Sequence, residues 1–349
     1  MWSGSVVGRT AHPRIVVAGA GSIGCYVGGC LALAGRDVTL LLRPALADII
    51  AGQGLRISDL NGASRVVPPG AIKLATDPSI AFADADIILV TVKSGATAAM
   101  AGLIAEHAPS GVTVVSLQNG IGNVDLLLAR LGGLGRIVAG MVPFNVVQSH
   151  GSGEARFHRA TSGTMLIGAG VPGLRSALNV QGADIIEHAD MAGVLWGKLM
   201  LNLNNALNAL SGVPLATQLA DRRWRLILAR QIAEGLGVLT AAGIKPARIE
   251  GVSPGTIPRI LRLPNWLFRR VARRMLAIDP EARSSMWEDL HRHRPTEIAY
   301  LQGAILALAQ KHRVAVPVTE RVIGLVRRAE AAGAGSPALT PEQVERAVV

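Results

Sequence analysis

The stretch Arg14 to Arg43, RIVVAGAGSIGCYVGGCLALAGRDVTLLLR, constrains this chain more than any other. Ile15-Val16-Val17-Ala18 is short, apolar and largely β-branched, the pattern of a parallel strand covered on both faces. Gly19, Gly21 and Gly24 follow at G-x-G-x-x-G spacing, then a helix, then a second strand, Asp37 to Leu42. In such a unit the first glycine allows a tight turn, the second lets backbone approach a pyrophosphate, and the third lets helix pack close on strand. The helix N-terminus adds unpaired N–H groups and a positive dipole end. Gly19, Ala20, Gly21, Ser22, Ile23 and Gly24 are therefore the expected dinucleotide cradle. In a chain with 40 glycines the spacing alone would say little; the flanking strand, helix and strand give it weight.

The end of the second strand selects the dinucleotide. An NAD site usually places an acid there for the ribose hydroxyls, whereas this chain offers Arg43 and no acid before Asp48. An arginine fork suits a 2′-phosphate, so NADP(H) is expected over NAD(H).

With 349 residues and 50% hydrophobic content the chain can fill two cores. Cys25 and Cys30 fall five apart on one expected helix, which suits neither a disulfide nor a metal pair, so reduced thiols and no metal are expected. The first dozen residues lack the apolar core of a signal peptide, and no uncharged apolar run reaches the roughly 18 residues of a membrane span. A cytoplasmic location is the expectation. The net charge of +11 suits nucleic acid, an acidic membrane or small anionic ligands, and does not choose among them.

Along the chain, a short helix over Pro44 to Ala51 precedes a hairpin, Leu55 to Val67, turning at Asn61-Gly62. Asp84-Ala85-Asp86 opens a buried strand, Ile87 to Val92, ending at Lys93-Ser94; another strand, Val112 to Ser116, ends in Leu117-Gln118-Asn119-Gly120. Ligands of open α/β sheets lie beyond the carboxyl ends of strands, so Lys93 and Asn119 stand where cofactor and substrate would meet. Ile137 to Val147, Ala155 to His158 and Thr164 to Ile167 read as antiparallel additions, and Ala183 to Glu187 as a closing strand. Strand patterns stop at Asp190. The expected division is an N-terminal extension over 1–13, a Rossmann domain over 14–189, a helical domain over 190–335 and a tail over 336–349.

The helix Val194 to Leu210 is apolar nearly all round and so should be buried. At a period of 3.6 residues Lys198, Asn202 and Asn205 share one face, and Asn204 and Asn208 another. An ammonium buried with nothing to bind is costly, so the lysine face should meet a polar cleft. The segment 259–275 is expected to set Leu267, Phe268, Val271 and Met275 against the core, and Arg269, Arg270, Arg273 and Arg274 in solvent. Further on, Ser285 on one helix and Glu297 on a second, capped by Thr296 after Pro295, are expected to approach one another.

Together, G-A-G-S-I-G, Arg43, Val92-Lys93, Q-N-G at 118–120, W-G-K-L-x-x-N at 196–202, and S-S-M-x-x-D followed by T-E-I-x-x-L-x-G resemble the ketopantoate reductase (2-dehydropantoate 2-reductase) family, within the 6-phosphogluconate-dehydrogenase-like group. The match runs from Arg14 to about Arg328. The resemblance implies a Rossmann domain followed by an all-helical one, and reduction of 2-dehydropantoate by NADPH in pantothenate biosynthesis. It implies that the glycines hold pyrophosphate, with Arg43 and Lys93 near the 2′-phosphate side and Asn119 beside nicotinamide and substrate. It makes Lys198 the catalytic lysine, Asn202 and Ser285 substrate-binding residues, and Glu297 the glutamate assisting them. Two departures stand out. Ala206 replaces a second asparagine, for which Asn205 is the expected substitute, and the stretch from Lys198 to Ser285 is long.

The chemistry has its own logic. Hydride delivery to a ketone leaves charge on oxygen, which a nearby ammonium stabilises and protonates. The rival readings are a reductase for another bulky 2-oxo acid, and a non-catalytic NADP(H) sensor whose arginines bind nucleic acid or membrane. The expected partner is a small 2-oxo acid, with no nucleic acid and no membrane; a homodimer through the helical domain is compatible with the chain.

Overall fold

The computed structural model describes residues 13–149, 153–249, 251–272 and 281–347. Its strands are β1 (Ile15–Ala18), β2 (Val38–Leu41), β3 (Leu55–Asp59), β4 (Ser64–Val67), β5 (Lys73–Ala75), β6 (Ile87–Val90), β7 (Thr113–Ser116), β8 (Arg136–Met141), β9 (Val146–Ser149), β10 (Ala155–Arg159), β11 (Met165–Gly168) and β12 (Ile185–His188). The helices interleaved with them are α1 (Ser22–Leu33), α2 (Pro44–Gln53), α3 (Pro78–Phe82), α4 (Thr97–His107), α5 (Asn123–Leu131) and α6 (Leu174–Leu178).

Eight strands form one sheet in the order β12-β11-β8-β7-β6-β1-β2-β5. From β5 to β8 all neighbours are parallel; β11 joins β8 antiparallel, and β12 runs parallel to β11. Strand order reverses between β1 and β6, which opens the crevice where an α/β sheet takes its ligand. β1 and β6 are buried throughout, as apolar runs covered on both faces must be.

The expected hairpin forms, with β3 pairing β4 antiparallel. Three expectations for the strands change. β8 is not an antiparallel addition but runs parallel to β7, because the chain returns through the crossover helix α5. Ile137 to Val147 is not one strand: β8 stops before Val142-Pro143, where proline lacks a ladder donor, and β9 resumes beyond it. Nor do all the later strands extend the main sheet. β9 and β10 join the hairpin in a separate sheet, β4-β3-β10-β9. This second sheet covers the outer side of α1, which is why that helix is apolar on every side. A Cβ on Gly28 would lie 2.6 Å from Leu40 of the main sheet, and one on Gly29 3.0 Å from Ile57 of the second. Cys25 and Cys30 are buried in this layer as free thiols.

After His188 the chain is helical: α7 (Met191–Asn202), α8 (Asn204–Ser211), α9 (Leu215–Ala220), α10 (Arg222–Ala241), α11 (Ile257–Leu261), α12 (Asn265–Val271), α13 (Ser285–His291), α14 (Gln302–His312), α15 (Pro317–Ala332) and α16 (Pro341–Arg346). They enclose their own apolar core, including Leu199, Leu207, Ile232, Ile305 and Val326. α16 docks on this bundle through buried Val344 and the pairs Arg223–Glu342 (2.6 Å) and Arg230–Glu345 (2.8 Å). Among the described residues no helix is long and apolar enough to cross a membrane.

The helix expected over Val194 to Leu210 is interrupted at Leu203. Its carbonyl accepts Gln302 Nε2–H at 3.0 Å, a side chain drawn in from α14. The basic segment also differs from expectation, because α11 and α12 are separate short helices. Phe268 is buried, but Val271 is 53% exposed and so does not belong to the buried face; Arg273, Arg274 and Met275 lie outside the described residues. Arg225 fixes this segment from within the core, donating to the carbonyls of Leu261 and Leu263 and stacking over Phe268.

Candidate active site

The glycine loop behaves as its spacing requires at two positions. Gly19 has φ of +82°, and a Cβ there would sit 2.1 Å from Val92 Cγ1. A Cβ on Gly24 would meet Thr91 and Val17 at 2.5 and 2.8 Å, so helix and sheet touch at that point. Gly21 is exposed, with nothing nearer than 4.0 Å to a Cβ, leaving room for a ligand against bare backbone. No side chain caps the N-terminus of α1, so the first-turn amides after Ser22 and Ile23 face outward without a competing acceptor. Ala20 N–H donates to Leu41 O at 2.9 Å, tying the loop to the end of β2, two residues before Arg43. The Arg43 guanidinium is exposed and makes no ion pair among the described residues. These features fit a dinucleotide.

Beyond β6 and β7 the nucleotide-binding half meets the helical half. Lys93 Nζ pairs with Asp289 Oδ1 of α13. Burial raises the Asp289 carboxyl above its ordinary range, against the opposing pull of the Lys93 ammonium. Ser94 is 1% exposed and holds Glu297 Oε1 through its backbone N–H (3.2 Å) and Oγ (3.0 Å). Ile121 N–H donates to Tyr300 O at 3.2 Å. That bond draws Tyr300 out of helical register, which accounts for a further difference from expectation: the helix anticipated from Thr296 begins at Gln302, and turns occupy 298–301.

Lys198 is half-buried, and its Nζ donates to Pro143 O at 3.0 Å, just past the carboxyl end of β8. The ammonium is thus directed at the rim of the sheet. The asparagines near it divide into two groups. Asn204 and Asn208 are buried and committed: both contact Gln218, and Asn208 also donates to Val213 O and accepts Ser284 N–H. Asn202 and Asn205 are half-buried, and their side-chain amides make no hydrogen bond among the described residues. Asn119 likewise keeps its amide free, while its carbonyl accepts Asn123 Nδ2–H at 2.8 Å. Asn119 is exposed, whereas the half-buried amides of Asn202 and Asn205 are placed to bind a polar ligand.

Ser285 and Glu297, expected to approach one another, make no hydrogen bond with each other among the described residues. Ser285 is exposed at the start of α13, and Glu297 turns to Ser94. Its neighbour Ser284 is the buried serine, donating to Asn205 O at 2.9 Å and accepting Trp287 N–H as the helix cap. Asp289 and Ser94 are contacts that sequence reasoning assigned no role. Asp289 is the acid of S-S-M-x-x-D and Ser94 adjoins Lys93, but only the fold shows that they face across the cleft. A small cavity of about 180 Å³ lies beside this rim between the 120–125 turn, Gly140 and the Ala192–Trp196 face of α7.

The architecture and this rim match known proteins. The Ketopantoate reductase PanE/ApbA family model matches residues 15–171, and its C-terminal companion, Ketopantoate reductase PanE/ApbA C terminal, matches 190–330. The 2-dehydropantoate 2-reductase of Halobacterium salinarum is 32% identical over 328 residues, covering 92% of this chain and all of its own. The crystal structure of a PanE/ApbA family ketopantoate reductase from Ralstonia eutropha superposes with a TM-score of 0.77 at 27% identity, covering 92% of this chain and 99% of that one. A ternary structure of D-mandelate dehydrogenase with NADH and anilino(oxo)acetate shares the fold, with a TM-score of 0.70 at 22% identity over 92% and 99% of the two chains. A Rossmann domain carrying an intact glycine loop, a helical domain closing over its strand ends, and matches spanning both establish that the chain belongs to the ketopantoate reductase family and is a dinucleotide-dependent oxidoreductase.

Proposed function

We propose that the chain reduces 2-dehydropantoate to pantoate with NADPH, and that Lys198 is the general acid. The observation that carries this reading is the Lys198 ammonium, held against Pro143 O at the carboxyl rim of the sheet, with the uncommitted Asn202 amide one turn on. NADPH supplies the hydride, and the residues that suit it are the 19–24 loop for pyrophosphate and Arg43 for the 2′-phosphate. Lys93, expected with Arg43 near the 2′-phosphate, instead leaves β6 on the other side of β1 and pairs with Asp289, so it and Asn119 flank the crevice opposite Arg43. The 14–189 unit is then the nucleotide-binding domain and 190–335 the catalytic one.

In this reading Lys198 donates its proton to the carbonyl oxygen as negative charge builds there, a contribution of roughly 10²–10⁴-fold for a placed acid. Asn119, Asn202 and Asn205 offer amides to the carboxylate and hydroxyl of the substrate, and Glu297 accepts from the substrate or the lysine. Ser285 is exposed, so it would join the substrate from the rim.

Ala206 favours keeping one second substrate in view. It is fully buried and supplies no amide where the family pattern has an asparagine, which leaves a bulky 2-oxo acid other than 2-dehydropantoate as the alternative. The test is a panel of 2-oxo acids followed by loss of reduced-nicotinamide absorbance with NADPH and NADH. The expected result is the highest kcat/KM with 2-dehydropantoate and NADPH. Turnover confined to another bulky oxo acid would transfer the assignment to that acid, and cofactor binding without any oxidation would leave a sensor.

A further inference from the structure

We propose that Ser94 is a positioning residue for the reaction, fixing one oxygen of the Glu297 carboxylate so that the other is presented to the substrate. This rests on the reading above, in which Glu297 works in the site.

The hydrogen-bond count supplies the argument. Ser94 Oγ carries one proton and has two acceptors within reach, Asn119 O at 2.8 Å and Glu297 Oε1 at 3.0 Å. Asn123 resolves the competition. Its amide nitrogen donates one hydrogen to Asn119 O (2.8 Å) and the other to Ser94 Oγ (3.1 Å), so the Asn119 carbonyl keeps a donor without Ser94, while the charged carboxylate is the stronger acceptor for the one Ser94 proton. The Ser94 proton is then left for the carboxylate, alongside the Ser94 backbone N–H, which reaches the same oxygen at 3.2 Å. Both donors converge on Oε1. Glu297 Oε2 has no partner among the described residues and remains a free acceptor.

Ser94 itself has little freedom to move. It is 1% exposed, Thr97 Oγ1 lies 2.9 Å from its carbonyl and 2.8 Å from Asn123 Oδ1, and Gln118 Nε2 bridges Thr97 Oγ1 and Val92 O at 2.7 and 3.0 Å. Chained polar groups in a buried setting stiffen one another. The same network reaches the Asn119 carbonyl through the Asn123 amide, which bonds both that carbonyl and the Ser94 hydroxyl. Next to it, Lys93 holds Asp289, so two consecutive residues leaving β6 each grip one acid of the helical half.

The experiment is a double-mutant cycle on the full-length protein, with steady-state kinetics on the best substrate of the panel, NADPH affinity and melting temperature. Ser94→Ala keeps the backbone N–H and removes only the hydroxyl. It is expected to lower kcat about tenfold, the size of one lost hydrogen bond to a charged group, with little change in oxo-acid KM or NADPH affinity, and to lower the melting temperature by a few degrees because the buried Asn123 amide loses an acceptor. In a Glu297→Gln background it should cost less than about twofold more, because the group it positions is already altered. Ser94→Cys, which keeps the volume and weakens the donor, should fall between wild type and Ser94→Ala. Wild-type turnover in Ser94→Ala, or losses that multiply in the double variant, would overturn the inference. If Lys198→Ala abolishes turnover but Glu297→Gln does not, Glu297 has no role and Ser94 none through it; if Lys198→Ala itself retains turnover, the reading of the site is what fails.

Discussion

Lys198 Nζ donates to the carbonyl of Pro143 at 3.0 Å, joining the first helix of the helical half to the rim of the main sheet. The bond orients the ammonium toward the strand ends. A proton donor placed this way can meet an oxygen arriving over the strand ends. Lys198→Ala should therefore cut kcat by at least about 10²-fold. NADPH affinity, read by fluorescence titration, should change little, because the glycine loop follows β1, three strands along the sheet from β8.

Cofactor choice should follow Arg43. Its guanidinium is exposed beside the loop and makes no ion pair among the described residues, so it is available to a 2′-phosphate. Arg43→Ala should reduce the NADPH-over-NADH ratio of kcat/KM by roughly tenfold to a hundredfold, as loss of a charge-assisted hydrogen bond predicts. An unchanged ratio would place the discrimination elsewhere.

Two asparagines on adjoining helices should respond oppositely. Asn208→Ala strips partners from the buried Ser284 N–H and Gln218, and should cost about 1–3 kcal/mol in urea unfolding. Asn202→Ala breaks no internal bond. It should leave the unfolding midpoint in place and raise the KM for the oxo acid several-fold.

Asp289 should make stability depend on pH. Burial raises its carboxyl above the ordinary value of 3.8 despite the Lys93 ammonium, so between the unfolded and folded values the native state binds more protons than the unfolded one. Stability from this residue is then present at low pH and lost as pH rises through its folded pKa. Asp289→Asn removes the titration. Its melting temperature relative to wild type should rise as pH is taken from about 4 towards neutrality, and a difference independent of pH would refute the assignment.

The glycine turn, Arg43 at the end of β2, the buried strands β1, β6 and β7, and the change to helices after His188 are all legible in the residues, because each depends on local rules: periodicity, burial on both faces, and backbone freedom at Gly19. The same rules put Lys198 and Asn202 on one helix face. They could not separate Asn202 from Asn208, since the difference is whether a residue remote in sequence, Gln218 or Ser284, reaches the amide. Nor could they send β9 and β10 to a second sheet, a choice made by the outer face of α1, which needed apolar cover. The pairing of Ser94 with Glu297 and of Lys93 with Asp289 spans about two hundred positions of chain. No local propensity encodes such contacts; they exist because two separately formed cores bring a loop of one against the turns of the other.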